Sequence, residues 1–347
     1  MPLIMDGQRK PHAGEDEPYL QECMVSVSYA ALAGQGEDSF AIRSDARGAV
    51  LCVADGCGGL GGKRYERLGN HTGAYLASRL VTRAFVSWAE ERKPMPATAQ
   101  EGQALCAELE GDLQGILNGF AQKNGCMDEP TRIVGSMQRL LPTTLCAAIT
   151  EGCSVLKREC CFVWAGDSRG YVLDANGLHQ CTQDHMRGEV DALESLYRDV
   201  PLSQLLCAEL PSKLSMRRLT VPTPCIVLCA TDGAFGCLSS PMEFEMLLLS
   251  TMLAANSEAD WQHRLELALG RLAHDDATLL LQFCGFESYA QLKQHFQQRL
   301  TALKHGYITP IRRHRQALPY TREKWQEYRE QYDRTEGVPN ERTNWRI

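Results

Sequence analysis

No stretch of the 347 residues approaches the ~20 consecutive apolar residues of a membrane-spanning helix, and no secretory signal opens the chain. Basic charge is in short supply, with 36 Lys and Arg against 43 Asp and Glu and a formal net charge of -7. That balance argues against a general nucleic-acid binder, which usually carries a net basic face. Cysteine is not scarce, at 15, but the paired CxxC-and-histidine spacing of a zinc framework is missing. Several thiols sit in apolar runs such as Cys225-Ile226-Val227-Leu228-Cys229, where cysteine behaves as a small hydrophobe. An odd cysteine count without a signal peptide points to reduced thiols, so a soluble, cytoplasmic protein is expected. Internal repeats and low-complexity tracts are also lacking.

What the chain has is a series of acidic motifs in one order: Gly36-Glu37-Asp38-Ser39-Phe40, Ala54-Asp55-Gly56-Cys57-Gly58-Gly59, Ala165-Gly166-Asp167-Ser168-Arg169, Ala230-Thr231-Asp232-Gly233-Ala234 and His274-Asp275-Asp276-Ala277-Thr278. Any one Asp-Gly is an ordinary turn. Carboxylates set repeatedly beside apolar runs are what a hard-cation site with oxygen ligands requires, and the series reads as a metal-dependent hydrolase. Two divalent ions sharing an acidified water are the simplest means of hydrolysing a phosphate monoester. Such a pair needs one bridging carboxylate and others that hold one ion each. Asp55 is the best bridging candidate, because Gly56 lets the backbone carbonyl also approach a metal closely.

Continuous or alternating apolar runs predict strands at Val25–Tyr29, from Phe40, and at Ala49–Ala54, Thr144–Ile149, Cys160–Ala165, Gly170–Leu173, Arg217–Val221, Cys225–Ala230 and Ala277–Phe283. Three- and four-residue apolar steps predict helices over Glu66–Trp88, Gly102–Gln122, Met242–Ala255 and Trp261–Leu272. Strands in runs, with helices in pairs between them, indicate an α+β fold rather than alternating βαβ units. Residues 1–22 read as a loose lead-in, 23–284 as the catalytic domain and 285–347 as a helical C-terminal extension. In the extension, helices are expected over Ser288–Lys304 and Thr321–Arg334, the second with Thr321 as N-cap. Trp325, Tyr328 and Tyr332 would form one aromatic stripe, either a packing face or a partner-docking face.

On the order and spelling of its motifs the chain resembles the metal-dependent type 2C serine/threonine protein phosphatases in their bacterial-like form, from about Val25 to Phe283. The resemblance implies an αββα sandwich, two antiparallel sheets flanked by helices, with a binuclear metal site in a cleft at one end. It implies hydrolysis of phosphoserine or phosphothreonine by direct attack of a metal-bridged hydroxide, with two Mn²⁺ or Mg²⁺ ions and a third, weaker one. Matched residue by residue, Asp55 bridges the ions, and Glu37 with the Gly56 carbonyl completes the ligands of one. Asp232 and Asp275 hold the other with Asp55, Asp38 orients the water, and Asp167 joins Asp232 at the third ion. The implied partners are a phosphoprotein substrate and a cognate serine/threonine kinase, with neither nucleic acid nor membrane.

The chain departs from the family pattern at three places. Ala33 stands where an arginine four residues ahead of the first acidic ligand often binds the substrate phosphate; Lys63 or Arg64 is a candidate substitute. Cys57 stands where relatives carry histidine or methionine, and no Cys-x5-Arg loop follows it, so leaving-group protonation falls to water or to a histidine such as His71 or His185. Asp276 replaces an asparagine and competes with Asp275 for the ligand role. Thr182-Gln183-Asp184-His185 leads into a flap over Met186–Lys213, where substrate choice is expected. A catalytically weak family member acting as a phosphoprotein-binding or regulatory module stays open, as does a carboxylate-based nuclease, which the acidic balance disfavours.

Overall fold

The computed structural model describes residues 24–45, 48–92, 94–127, 138–154 and 156–334; the expected lead-in and the end of the extension lie outside them. The strands are β1 (Met24–Tyr29), β2 (Ser39–Asp45), β3 (Gly48–Ala54), β4 (Arg64–Tyr65), β5 (His71–Thr72), β6 (Leu145–Ser154), β7 (Lys157–Ala165), β8 (Arg169–Asp174), β9 (Gly177–Gln180), β10 (Ser215–Pro222), β11 (Cys225–Ala230) and β12 (Ala277–Cys284). The α-helices are α1 (Gly58–Gly61), α2 (Gly73–Arg92), α3 (Ala99–Lys123), α4 (Asp232–Phe235), α5 (Pro241–Ala254), α6 (Glu258–Leu272), α7 (Tyr289–Leu303), α8 (Thr309–Arg313) and α9 (Ala317–Tyr332). Among the described residues no helix is long and apolar enough to cross a membrane.

Two five-stranded antiparallel sheets form the centre, in the orders β1-β12-β11-β8-β9 and β10-β7-β6-β3-β2. Every residue of β3, β11 and β12 is buried, as a continuous apolar sequence requires of a strand covered on both faces. One apolar layer lies between the sheets, where Cys146, Cys160, Cys181, Cys225, Cys229 and Cys284 pack with Leu51, Phe162 and Leu280. The cysteines of this layer are free thiols. Helices α2 and α3 cover the second sheet through Phe85, Leu109 and Leu113. Helices α5, α6, α7 and α9 cover the first through Phe244, Trp261, Phe296 and Trp325. The result is the expected four-layer αββα arrangement.

Register carries the acidic motifs to a common end. Ser39 is opposite Ala54, Val53 opposite Cys146, Leu145 opposite Ala165, and Ala230 opposite both Arg169 and Leu279. Asp38, Asp55, Asp167, Asp232 and Asp276 each lie within a few residues of one of these paired ends.

Three local expectations are corrected. The helix expected from Glu66 begins at Gly73, because Gly69 and Asn70 take left-handed φ values of 78° and 59° that no α-helix passes through. Residues 64–65 pair instead with 71–72 as a short hairpin, and the Thr72 hydroxyl accepts the Tyr75 N–H. Thr321 does not cap α9 but lies inside it, its hydroxyl donating to the Ala317 carbonyl at 2.8 Å. The helix expected to run to Lys304 ends at Leu303, where the chain passes into a π turn, Lys304–Ile308, and a short helix, Thr309–Arg313. The aromatic stripe is a packing face, with Trp325, Tyr328 and Tyr332 each at most 1% exposed, so it is closed to partner docking.

A buried charge network joins this extension to the sandwich. Glu245 of α5, fully buried, accepts from Arg299 of α7 at 2.7 Å and from the Tyr328 hydroxyl of α9 at 2.6 Å. Removing one partner of a buried pair leaves the other charge uncompensated, at a cost of about 3–5 kcal/mol. Glu245→Ala should therefore lower unfolding free energy by about that amount in chemical denaturation, and Arg299→Ala added to it should recover part of the loss. Additive losses would contradict the pairing.

Candidate active site

Backbone and hydroxyl hydrogen bonds hold the acidic end in shape. The Asp55 N–H donates to Thr144 Oγ1 at 3.0 Å and its carbonyl accepts from the Thr143 hydroxyl at 2.7 Å. Thr144 Oγ1 also meets Ser168 Oγ at 2.8 Å, linking the turn at Asp55 to the turn carrying Asp167. The Thr231 hydroxyl donates to Asp38 Oδ2 at 2.7 Å and accepts the Thr278 N–H at 2.8 Å, tying the first, fourth and fifth motifs together. Glu37 is gripped by the Thr72 hydroxyl. Glycine is required beside it: a Cβ on Gly58 would stand 1.9 Å from Glu37 Oε2, and one on Gly56 2.6 Å from the Ala74 carbonyl oxygen.

The electrostatics are those of crowded, desolvated carboxylates. Burial, then the fields of Asp232, Asp38, Asp167 and Asp275, pushes Asp55 well above the usual carboxylate range. Burial raises Asp38 to about 7 against the hydrogen bond from Thr231. Burial and then Asp232 raise Asp167 to about 8, and burial and then Asp275 raise Asp232 to about 6. Burial also raises Glu37, opposed by Thr72 and reinforced by Asp276 and Asp275. The Asp276 carboxylate accepts the N–H groups of Ala31 and Glu37 at 2.8 and 2.5 Å and so organises the first motif's loop.

Among the described residues the nearby cations offset this cluster only in part, Arg169 lowering Asp167 and Asp232 against burial and their mutual repulsion. Arg169, 1% exposed, is committed to Asp184 through Nε and Nη2 and to Ser195 Oγ. Arg79 is spent on the Gly36 carbonyl and on the face of Tyr75. Asp38 Oδ1 is buried without a hydrogen-bond partner. An all-oxygen, anionic donor set with an orphaned carboxylate oxygen fits hard divalent cations. Among the described residues no group of three or more His, Cys, Asp or Glu stands so as to hold a metal ion. A cavity of about 490 Å³ lies against Asp167, Asp232 and Asp275, walled on its far side by flap residues including Tyr197 and Arg198.

Around the cluster, Ala33 lies exposed in its loop. Arg64 reaches that loop, donating to Gln35 Oε1 at 2.7 Å and to the Asn70 carbonyl at 2.9 Å, and it lines a cavity of about 420 Å³ with His71, Thr72 and Tyr75. Lys63 is turned to the ring of Tyr65. His71 stacks on Tyr75 at 3.8 Å, and His185 is engaged by Ser215 Oγ at 2.9 Å. Burial and then Asp55 push the Cys57 thiol far up, so it stays protonated and unsuited to nucleophilic attack. The positioning hydroxyls of Thr144, Ser168, Thr231 and Thr278, and the wall residue Arg198, lie outside the residues expected to act; their sequence signal is a Ser or Thr in four of the five acidic motifs, all but that of Asp55.

The protein phosphatase 2C family matches residues 34–270, more than half of the chain, and the chain belongs to that family. The enzyme class is that of the protein-serine/threonine phosphatases. No curated protein matches the sequence. The fold is similar to that of the serine/threonine phosphatase PstP/Ppp of Mycobacterium tuberculosis, at 22% identity and TM-score 0.52 over 76% of this chain and 99% of that one. It is likewise similar to the phosphatase Stp1 of Staphylococcus aureus, at 18% identity and TM-score 0.53 over 79% and 99% of the two chains. These likenesses concern the fold, and the neighbours are bacterial.

A carboxyl whose folded value lies above its unfolded value stabilises the fold fully below the unfolded value and loses that contribution as pH rises through the folded one. Metal-free protein should therefore lose stability from about pH 4 to about pH 8, the span of the raised Asp38, Asp167 and Asp232. Mn²⁺ should reverse the loss by favouring the ionised forms, and Asp55→Asn should stabilise the metal-free protein while shrinking the Mn²⁺ effect. Thermal unfolding across that pH range, with chelator and with Mn²⁺, reads all three; a midpoint indifferent to Mn²⁺ would contradict the site.

Proposed function

We propose that the protein is a metal-dependent serine/threonine phosphatase acting on phosphoserine or phosphothreonine in a protein, opposite a serine/threonine kinase in the cytoplasm. The observation that carries this reading is the crowding of Asp38, which is buried, with Asp55, Asp167 and Asp232, which are partly buried, and with the exposed Asp275 at their edge, each raising the carboxyl values of its neighbours. Such a cluster repels a phosphate dianion unless cations stand between. Asp55, Glu37, the Gly56 carbonyl, Asp232 and Asp275 would hold two Mn²⁺ or Mg²⁺ ions, and Asp167 with Asp232 a third. When bound, the ions supply charge neutralisation of the phosphoryl oxygens and an acidified water.

The chain's own contribution is position and proton handling. Asp38 is fixed through Oδ2 by Thr231, and its unpartnered Oδ1 is the acceptor that orients a water and takes its proton. Thr143 and Thr144 hold the Asp55 backbone, so the bridging carboxylate needs little reorganisation when a cation binds. In place of the absent arginine at Ala33, two guanidiniums border the cluster: Arg64, whose field lowers Glu37, and Arg198 in the cavity wall.

Release of phosphate from a phosphothreonine peptide should require Mn²⁺ or Mg²⁺. Asp55→Asn and Asp232→Asn should each lower kcat/KM by at least about two orders of magnitude, the equivalent of several kcal/mol of charge stabilisation. Arg64→Gln and Arg198→Gln identify the phosphate grip: loss of a charge-assisted hydrogen bond should raise KM about tenfold for the one that bears it. Retained Mn²⁺ binding without turnover in the wild-type chain would instead favour the phosphoprotein-binding alternative.

A further inference from the structure

The C-terminal helix α9 bonds to the flap at Asp191. Asp191 Oδ1 accepts the N–H groups of Leu193 and Glu194 at 3.0 and 2.9 Å, closing the 3-10 turn Glu194–Leu196. Its other oxygen, Oδ2, accepts from Trp325 Nε1 at 3.1 Å and from Arg329 Nη1 at 3.2 Å, both on α9. Leu193, the next apolar residue, is 2% exposed and packs in the same core cluster as Trp325. On the other side of the turn, Ser195 Oγ accepts from Arg169 at 2.7 Å, two residues beyond Asp167. Residues 195–200 then form the wall of the cavity that holds Asp167, Asp232 and Asp275.

We infer that α9 positions the flap over the acidic cavity, and that Asp191, Trp325 and Arg329 are positioning residues for whatever phosphorylated segment enters it. Trp325 is a core aromatic with its one polar atom spent on the flap, and Arg329 adds a charge-assisted bond to the same oxygen. The flap is thereby held from both sides: Arg169 from the sheet end that carries Asp167, and α9 from the extension. The family match ends at residue 270, before α7 begins, so this support comes from a part of the chain outside the matched region. A longer substrate that contacts the flap should sense the support, whereas a small aryl phosphate that reaches only the cluster should not. The consequence for catalysis rests on the phosphatase reading; the latch itself does not.

The experiment uses the full chain and two measurements. Hydrogen–deuterium exchange compares wild type with Trp325→Phe, which keeps a ring but loses the N–H, with Arg329→Gln, and with the double variant. Lys324→Gln on the same helix serves as the control, and Arg329→Lys as the conservative rescue. Amides of residues 190–197 should exchange about tenfold faster in the double variant, the order of change for losing bonds to a charged acceptor, with the sheets and α5 unchanged. In parallel, KM for a phosphothreonine peptide should rise about fivefold at little-changed kcat, while kcat/KM for p-nitrophenyl phosphate stays at the wild-type value. Unchanged flap exchange in the double variant overturns the proposal, and so does faster exchange spread evenly over α5 to α9, which would mark Trp325 and Arg329 as core residues only. Faster flap exchange in a chain that turns over no substrate, wild type included, supports the latch and sinks the phosphatase reading.

Discussion

Repulsion among buried carboxylates is the constraint around which the rest of the molecule is arranged. Asp55 is surrounded by Asp38, Asp167, Asp232 and Asp275 at the closed end of two packed sheets, where low polarisability makes each unpaired charge costly. Among the described residues the chain's cations relieve this only in part, since Arg169 lowers Asp167 and Asp232 but is bonded to Asp184 and Ser195, and Arg79 to backbone carbonyls. The chain also makes the backbone beneath the carboxylates rigid. Thr143, Thr144, Thr231 and Thr278 are each buried and each bonds across motifs, so the acidic turns cannot drift apart without breaking hydrogen bonds that burial makes expensive. A site strained in this way is stabilised by whatever brings positive charge to it, and a phosphate cannot be that ligand unaided.

Rigidity at the end of the sheets depends in turn on their middle. The layer between them is filled by thiols alongside branched and aromatic side chains. Small, polarisable groups suit that layer, where opposed strands leave room for little more than a short side chain between larger ones. The first sheet is covered partly by the C-terminal extension, whose aromatic stripe meets Tyr171 of β8 and shares Glu245 with α5. The extension is thus a structural part of the helical layer. Its burial of Trp325, Tyr328 and Tyr332 is of a kind that could contribute several kcal/mol.

Legibility in the sequence followed the physics of each segment. Strands buried on both faces announce themselves as unbroken apolar runs, and β3, β11 and β12 were readable almost to the residue. The acidic residues were readable because the chain places each beside such a run, and a strand end fixes where a side chain can be. Residues 66–72 misled because helical spacing among polar residues says little when Gly69 and Asn70 can leave the right-handed region. Thr321 misled for a related reason: an isolated threonine is a fair N-cap by type, yet in α9 its hydroxyl back-bonds to Ala317. The role of Asp276 was out of reach, because its partners Ala31 and Glu37 lie some 240 residues earlier, and only the folded register brings them together.

The departures from the family pattern and the C-terminal extension bear on one another. Ala33 is exposed and gives the first loop no guanidinium of its own, so the cations nearest the cluster are Arg64, which reaches that loop from β4, and those of other walls of the site. The flap is one of those walls and brings Arg198 to the cavity that Asp167, Asp232 and Asp275 line. A guanidinium on a loosely held loop loses much of its binding energy to ordering, whereas one on a loop bonded at both ends does not. Arg169 and α9 bond the flap ahead of Arg198, at Ser195 and Asp191, and the Tyr197 hydroxyl and the pairing of Met186 with Leu202 hold it beside and beyond. The two ends of the site are thus held differently: the first loop is met by Arg64 from the short hairpin, and the flap is met by α9 at Asp191, so the extension reaches the acidic end only through the flap.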